Sequence, residues 1–453
     1  MCQINLPLDS TTPRAPWTGY DPPMVPDALS APPTHPTGLQ FDELAYTRAL
    51  LERIVRLCPR RRPCSEDERR AHELMRVELT RLGLPEGVLD EFRFSESLYA
   101  NMALHFGLGT LGTAVSGLAP AAGFVLHALA AASFMLDSTK RAFLLRRLLP
   151  WRRSQNLVVT LPGLDPEPAL RLVFMAHADA ALTGRMFEPA MVALVERLPG
   201  PLGRLMAVTA YSQLALAGFD LLRLALGPLT LPLRPVEALL TLPALLAFVL
   251  NLEVVLRDEV VPGANDNLSG VVGMSLLARR LLASKPPQVE LVFVVTGAEE
   301  AGLGGAAHLV AANAARWDRA RTVAIGLDGL SNGELRYFDE GEVVRRRVPP
   351  WLREELERVA ASEPRFASVR AFQIPVGGTD VLAFHERGYD GLCLGCVDPA
   401  LGAPRHYHLP SDTVENLEPG AIIEAVDFAQ KLVVAIAQRR GIAWRPAGGA
   451  KGV

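Results

Sequence analysis

The chain has 453 residues, a hydrophobic content of 49% and a formal net charge of -3. The length suits one large α/β domain with insertions or roughly two to three average domains. The near-neutral charge gives no electrostatic case for binding nucleic acid, so we predict no nucleic acid partner. The five cysteines are an odd number without a framework spacing, which argues against a disulfide-built secreted fold.

The N-terminal part of the chain predicts an arm followed by the start of a folded domain. Residues 1–40 carry nine prolines and little apolar periodicity, a composition typical of a flexible or wrapping arm. The pattern of a secretory signal, a basic segment followed by an apolar one, is not seen there. In 41–96, apolar residues three and four positions apart predict helices over 41–57 and 66–83, and the stretch "VLDEFRFSE" predicts a strand.

A first apolar insertion occupies 97–150. Residues 97–136 contain no Asp, Glu, Lys or Arg and are interrupted near 116–120, so they predict two helices joined by a tight turn. A bilayer span needs about 20 apolar residues, and each helix satisfies that length. Beyond the uncharged stretch lies a basic cluster, formed by Lys140, Arg141, Arg146, Arg147, Arg152 and Arg153.

Strands and helices alternate in 151–185 and again in 258–440, followed by a C-terminal tail at 441–453. Several of the strands are continuous apolar runs, as in parallel strands buried on both faces. We therefore predict an α/β fold with a mostly parallel mixed sheet sandwiched by helices. The predicted strands are 155–161, 171–177, 289–296, 322–328 and 391–397, and the predicted helices are 268–284, 304–316, 350–362 and 418–439.

A second apolar insertion at 186–257 fits no strand–helix alternation. Its segments 205–219 and 238–252 are each uncharged for fifteen residues. That length is short for a bilayer span, so the segments predict either a second transmembrane hairpin or buried or interfacial helices. Charged residues are expected between the two helices, namely Asp220, Arg223, Arg234 and Glu237.

Imidazoles and carboxylates follow successive predicted strands, where α/β sheets form their sites. His177 and Asp179 end one strand on the same side, because residues two apart in a strand point the same way. Two histidines with three carboxylates suit zinc or a similar divalent ion, and one carboxylate shared between two ions accommodates all five ligands. The other candidates are Asp266 in "GANDN", Glu299 and Glu300, Asp328, and His408 in "HYHLPSDT".

Each of these residues, taken singly, has an ordinary structural interpretation as a turn, cap or solvated side chain. Their occurrence in order at successive strand ends favours a metal centre. The pair Cys393 and Cys396 has the spacing of half a metal site, but no second pair matches it. We interpret these two cysteines as buried strand thiols.

Five segments carry a resemblance to a known family: "HAD" (177–179), "PGANDNLSGV" (262–271), "TGAEEAGLGGAAHLV" (296–310), "GLDGL" (326–330) and "YHLPSDTVENL" (407–417). They resemble the motifs of the co-catalytic dizinc aminopeptidases, a family that includes bacterial leucyl aminopeptidases and, as a divergent branch, glutaminyl cyclases. The resemblance covers about 41–96, 155–185 and 260–440, which would then form one peptidase domain of the zinc exopeptidase type.

The resemblance implies a set of roles for these residues. Two divalent metal ions, expected to be zinc, would share Asp266; His177 and Asp328 would complete one site, and Glu300 and His408 the other. Glu299 would be the general base, and Asp179 would orient His177. His406 is an alternative ligand to His408. We favour His408 because it directly precedes "LPSDT". The peptide bond Asp266–Asn267 is expected to be cis.

The chain departs from the family in two places. Thr379, Asp380 and Val381 stand where such proteins often have Ser-Asp-His, which bears on the substrate. The gap between His177 and Asp266, usually short, contains 88 residues (178–265), which bears on access to the site.

The resemblance implies a metal-dependent exopeptidase, an aminopeptidase with a peptide substrate. Two other functions remain open: a glutaminyl cyclase-like or N-acyl amino acid amidase activity on the same site, and a non-catalytic membrane scaffold. For the insertions, the alternatives are contact with membrane lipid and an apolar cap on the catalytic domain. Insertion would leave the catalytic domain cytoplasmic by the positive-inside rule. The second insertion is expected to line the substrate entrance and to favour apolar or membrane-associated peptides.

Overall fold

The computed structural model describes residues 41–165, 167–196, 205–341, 343–375 and 377–445. The predicted N-terminal arm and most of the predicted tail lie outside these residues. Contacts divide the chain into Met1–Phe41 and Asp42–Val453, and all the elements below belong to the second unit.

Eight strands form a single mixed sheet in the order β1-β2-β4-β3-β5-β8-β6-β7. The central strands β4, β3, β5 and β8 are mutually parallel, whereas β1, β2 and β6 run antiparallel to their neighbours on one side or both. The prediction of a mostly parallel mixed sheet is confirmed. The strands are β1 (Val88–Ser95), β2 (Trp151–Leu161), β3 (Leu170–His177), β4 (Val289–Thr296), β5 (Thr322–Leu327), β6 (Glu334–Asp339), β7 (Ala371–Gln373) and β8 (Asp390–Val397).

The central strands are apolar because helices cover both of their faces. All eight residues of β3 are buried, as expected for a parallel strand in the middle of such a sheet. The register pairs His177 with Thr296, so β3 and β4 end at the same edge. That edge carries the candidate site.

Twelve α-helices are found in the described residues. Side chains cap several of them: Asp42 accepts from the backbone N–H of Leu44, and Ser65 accepts from that of Glu68, as N-cap residues do. The helices are α1 (Glu43–Leu57), α2 (Glu66–Arg81), α3 (Leu98–Ser116), α4 (Pro120–Ser138), α5 (Pro189–Glu196), α6 (Leu205–Leu226), α7 (Arg234–Arg257), α8 (Gly270–Leu282), α9 (Gly304–Asn313), α10 (Pro350–Ala360), α11 (Asp380–His385) and α12 (Pro419–Arg439).

The sheet is packed between layers of these helices. Helices α9 and α11 lie on the face formed by residues such as Val173 and Val292, with Leu309 and Phe384 in the same apolar cluster. Helix α8 packs on β3, β4 and β5, and α12 packs on α8. Because side chains alternate across a strand, the two layers bury opposite sets of strand residues.

The two apolar insertions combine into one four-helix bundle, formed by α3, α4, α6 and α7 and called the helical bundle below. Helix α3 packs on α4 and α7, while α6 packs on α4 and α7. Phe106, Phe134, Ala210 and Ala244 lie together in its interior. The prediction of two helices broken near 116–120 is confirmed, since α3 ends at Ser116 and α4 begins at Pro120.

The helices of the second insertion are longer than predicted. The charged residues expected to separate them instead lie within α6 and α7, which span 22 and 24 residues. The physical reason is pairing inside the bundle. Asp220 lies 2.6 Å from Nδ1 of His127, and Arg223 forms an ion pair with Glu237.

The outer surface of the helical bundle is apolar. Two of the described helices, α4 and α7, are long and apolar enough to cross a membrane by length and composition. Only 17% of the most apolar stretch of α7 is buried. The large exposed side chains of α6 and α7 include Leu214, Leu221, Leu224, Leu239, Leu242, Leu246, Val249 and Leu256.

Candidate metal centre

The predicted ligands converge at the carboxyl edge of the sheet. His177 is the last residue of β3, Glu299 and Glu300 lie in the turn after β4, and Asp328 follows β5 directly. Asp266 comes from the segment Ala264–Ser269 before α8, and His408 from the loop between β8 and α12. Ligand atoms lie within 4.8 Å of one another in three overlapping groups: His177, Asp266 and Asp328; His177, Glu299 and Glu300; and Asp266, Glu300 and His408.

Asp266 lies between the two imidazoles. Its Oδ1 is 3.2 Å from Nε2 of His177 and its Oδ2 is 3.1 Å from Nε2 of His408. Nε2 of His408 is also 3.3 Å from Oε1 of Glu300, and Nε2 of His177 is 3.9 Å from Oδ1 of Asp328. Ligand atoms around one tetrahedral zinc ion lie about 3.3 Å apart, given zinc–ligand bonds of about 2.0–2.2 Å. The spacing therefore suits a cation on each side of Asp266.

Two carboxylate oxygens of this cluster have no hydrogen-bond partner among the described residues. They are Oδ2 of Asp266 and Oε1 of Glu300, both buried. A buried, uncompensated carboxylate oxygen is costly, and both atoms lie beside Nε2 of His408. The donor set of imidazole nitrogens and carboxylate oxygens fits zinc.

Glu299 faces the same space from the strand end. Its Oε2 is 3.7 Å from Nε2 of His177, and the side chain is buried. Burial raises the pKa of the Glu299 carboxyl; His177 opposes this effect and the charges of Glu300 and nearby aspartates add to it, leaving the pKa well above its ordinary value. A buried carboxylate beside the candidate ligands is in position to accept and release a proton.

We predicted that the carboxylate of Asp179 orients His177. In the structure, this carboxylate contacts the backbone of the two glutamates. The carboxylate accepts hydrogen bonds from the backbone N–H of Glu299, at 3.2 Å, and of Glu300, at 2.9 Å. Nδ1 of His177 is 3.1 Å from the backbone oxygen of Asp179 and 3.7 Å from its carboxylate. The carbonyl thus orients the imidazole, while the carboxylate holds the turn that carries the two glutamates.

Two further residues that the sequence analysis did not single out hold the Asp266 loop. Asp412 accepts from the backbone N–H of Asn265 and of Asp266, at 2.8 and 3.1 Å. The buried Arg61 donates to the backbone oxygens of Ala178 and Pro262, and so joins the His177 loop to the Asp266 loop. Asp412 lies in the "YHLPSDT" motif, a signal that could have identified it, whereas no motif marked Arg61. The bond Asp266–Asn267 is cis, as the resemblance implied.

The helical bundle and the segment that leads to it reach the candidate metal centre at His408. Tyr99, near the start of α3, has its phenol oxygen 3.0 Å from Nδ1 of His408. The ring of Phe187 lies 4.5 Å from the His408 ring, and that of Tyr407 stacks on it at 3.8 Å. His406 is turned elsewhere, with Nδ1 2.9 Å from the hydroxyl of Ser411. No sequence pattern pointed to Tyr99 or Phe187.

The layered sheet and the cluster at its carboxyl edge give the chain a zinc exopeptidase-like fold. The structure can be superposed on BSAP, a zinc aminopeptidase from Bacillus subtilis, with a TM-score of 0.51 and 15% identity, covering 87% of this chain and 95% of that one. The crystal structure of a glutaminyl cyclase from an Acidobacteriales bacterium gives a TM-score of 0.51 at 15% identity, over 90% and 99% of the two chains. At these identities the similarity is one of fold alone.

Sequence comparison finds a family match over part of the chain. Residues 252–433 match peptidase family M28, and the resemblance inferred from the five motifs is confirmed. Aminopeptidase YwaD of Bacillus subtilis (strain 168) is 31% identical over 175 residues, which are 38% of this chain. The match spans 37% of the length of that relative.

Proposed function

We propose that the chain is a metal-dependent aminopeptidase that hydrolyses N-terminal peptide bonds. The relationship to family M28 and to the aminopeptidase YwaD supports this function. The observation that carries it is the position of Asp266, which presents one carboxylate oxygen to each of two imidazoles. A carboxylate in that position suits a site for two ions sharing one ligand.

In this proposal Asp266 would be shared by two zinc ions. His177 and Asp328 would complete the residues that hold one ion, and Glu300 and His408 those that hold the other. When bound, such ions would supply acidification of the attacking water and polarisation of the carbonyl of the scissile bond. The chain holds the ligands in place through Asp412, Arg61 and the carboxylate of Asp179, all buried and hydrogen-bonded to the backbone of the ligand loops.

Glu299 is the proposed general base. Its carboxylate lies beside the His177 imidazole; it would take the proton of the attacking water and pass it to the leaving amine. Asp179 acts through the backbone, because its hydrogen bonds to the amides of Glu299 and Glu300 determine where both carboxylates point.

Cyclisation of an N-terminal glutamine is the second candidate function. The fold similarity to the Acidobacteriales glutaminyl cyclase supports it, and Glu299 could relay a proton between the attacking amine and the departing ammonia. The presence of all five proposed ligands together with Glu299 favours hydrolysis. The same completeness argues against a non-catalytic scaffold. An N-acyl amino acid amidase would use the same groups and is distinguished by substrate.

One experiment separates these functions. The purified full chain is loaded with zinc, its metal content is measured, and it is incubated with peptides that begin with leucine, with peptides that begin with glutamine, and with N-acyl leucine. Release of free leucine from the first peptide is expected. Cyclised product alone would indicate a glutaminyl cyclase, and cleavage of the acyl substrate alone would indicate an N-acyl amino acid amidase. A chain that binds no metal would indicate a non-catalytic scaffold.

Membrane association is the second part of the proposal. The helical bundle has its polar groups inside, as in the Asp220–His127 pair, and leucines outside, which suits a hydrocarbon environment. Helices of 19 to 24 residues span about 30 Å at 1.5 Å per residue, the thickness of the bilayer core. We propose that the bundle contacts membrane lipid.

The basic cluster after α4 supports a cytoplasmic catalytic domain only in part. Lys140 and Arg146 are buried, and Arg146 forms an ion pair with Asp137, so these two side chains do not face a membrane surface. The other four, Arg141, Arg147, Arg152 and Arg153, are exposed. Exposed arginines beside a membrane helix favour the cytoplasmic side, and we propose that orientation.

A further inference from the structure

His408 is oriented by a residue from outside the motif-bearing segments. Tyr99 belongs to the first apolar insertion, and its phenol oxygen is 3.0 Å from Nδ1 of His408. The two residues are 309 positions apart in the chain. The side chain of Tyr99 is 5% exposed, so this hydrogen bond is protected from competing water.

The chemistry of the imidazole gives the contact a direction. A histidine that offers Nε2 to a cation carries its proton on Nδ1, and that proton needs an acceptor. For His177 the acceptor is the backbone oxygen of Asp179. For His408 it is the phenol oxygen of Tyr99. The two proposed histidine ligands are therefore oriented by different parts of the chain, one inside the peptidase domain and one in the helical bundle.

Tyr99 itself is held by both insertions and by the loop after β3. Ser97 caps α3 by accepting from the N–H of Ala100, which fixes the backbone at the start of the helix. The ring packs with Leu182 and Val254 and meets the Phe187 ring edge-on at 6.1 Å. A phenol with few rotatable bonds, packed from several directions, presents its oxygen in one place.

We propose that Tyr99 is a positioning residue for His408, so that cation binding at the Glu300–His408 position depends on the helical bundle. The proposal rests on the ligand assignment made under the proposed function. Tyr99 touches neither cation nor substrate and acts only through the imidazole. Loss of its oxygen should free the ring of His408 to rotate and weaken one cation site more than the other.

The test uses the full chain in detergent and the variant Tyr99→Phe, which keeps the ring and removes the oxygen. The readouts are zinc stoichiometry, zinc affinity in competition with a chelator, and the unfolding temperature of the metal-free protein. We expect one zinc ion to bind about 10- to 100-fold more weakly, with the other zinc ion and the metal-free unfolding temperature close to wild type. Tyr211→Phe is the matched control, because Tyr211 lies on α6 with 55% of its surface exposed.

Two more variants separate failure of this proposal from failure of the ligand assignment. His408→Ala should lose one zinc ion, and Tyr99→Phe should cause no further loss when added to it. If His408→Ala loses zinc but Tyr99→Phe binds both ions like wild type, the positioning role is wrong and the ligand assignment stands. Equal weakening of both ions, or a lower unfolding temperature with unchanged affinity, would reduce Tyr99 to a packing residue. If His408→Ala keeps both ions, the ligand assignment itself fails.

Discussion

Asp220 lies 2.6 Å from His127 in the interior of the helical bundle. Each side chain is at most 2% exposed, and the hydroxyl of Ser116 donates to the same aspartate. This arrangement reverses the usual order of a water-soluble helix bundle, which keeps charges outside and leucines inside. Pairing in the interior is how an apolar environment accommodates ionisable residues.

Asp220→Ala should destabilise the bundle, because it leaves His127 and Ser116 buried without their partner. Removing one member of a buried pair costs roughly 3–5 kcal/mol in soluble proteins and about 1–2 kcal/mol between membrane helices. The destabilisation would be measured as a drop in the unfolding temperature of the variant in detergent. The control is Asp258→Ala, an exposed residue whose pair with Arg62 is on the surface; the two variants should not behave alike.

Arginines on the outer face of α7 should prevent membrane integration. Leu242 and Leu246 are 54% and 52% exposed, one turn apart near the middle of the helix. In a bilayer each arginine would cost about 2.5–3.5 kcal/mol, whereas on a soluble cap both would face water at little cost. After a carbonate wash, we expect the wild-type chain in the membrane pellet and the double variant Leu242→Arg/Leu246→Arg depleted from it.

The control for that experiment is Val77→Arg, since Val77 is 43% exposed on α2, outside the helical bundle. This variant should remain in the pellet with the wild type. A wild-type chain that appears in the carbonate supernatant would contradict integral insertion. A double variant that stays in the pellet would place α7 away from lipid.

The convergence of the candidate ligands could be predicted because these residues stand at or near the ends of strands. His177 ends an apolar strand, Asp328 follows one directly and Glu300 lies in the turn after one, and parallel strands bring their carboxyl ends to one edge. The same logic located the central strands. The sequence analysis did not predict β6 or β7. Strand β7 has only three residues, and a short edge strand leaves little periodic signal.

Tertiary pairing explains what the sequence did not disclose. Asp220 and Glu237 looked like helix boundaries, because a charge in an apolar run is costly unless it is paired, and their partners lie on other helices or one loop away. Tyr99 gave no signal either, since its partner His408 is in another segment of the chain. The buried positions of Cys393 and Cys396 on β8 agree with their interpretation as strand thiols.

Glu340→Gln should make the chain more stable in mildly alkaline solution. Burial raises the pKa of Glu340 to about 8, although hydrogen bonds from Thr379 lower it. Between the ordinary value of 4.5 and about 8, the folded chain holds a proton that the unfolded chain releases. Stability therefore falls as the pH rises, by about 1.4 kcal/mol per pH unit, and the glutamine variant lacks this loss.

The hydrogen bonds suit the substitution. Oε2 of Glu340 accepts from the N–H and hydroxyl of Thr379, which a glutamine oxygen can also do. Oε1 is 3.7 Å from Nδ1 of His385, an acceptor nitrogen because Nε2 donates to Gly391. Unfolding temperatures from pH 5 to pH 9 check the prediction, with the exposed Glu354→Gln as control. Parallel curves for Glu340→Gln and wild type would mean that Glu340 does not titrate in this range.

Glu299→Gln should keep the metal centre intact and abolish most of the turnover. The glutamine amide preserves the size of the side chain and leaves the five proposed ligands unchanged, but it cannot accept the proton of the attacking water. A general base contributes about 10²- to 10⁴-fold to a rate, so kcat on a leucyl peptide should fall by that factor while zinc content stays at the wild-type level.

Glu300→Gln is the matched comparison, because Glu300 is the neighbouring residue and is held by the same aspartate. Since Glu300 is a proposed ligand, this variant should lose zinc as well as activity. If Glu299→Gln loses zinc like its neighbour, Glu299 is a ligand. If it hydrolyses peptides at a near-normal rate, the proton is taken by another group.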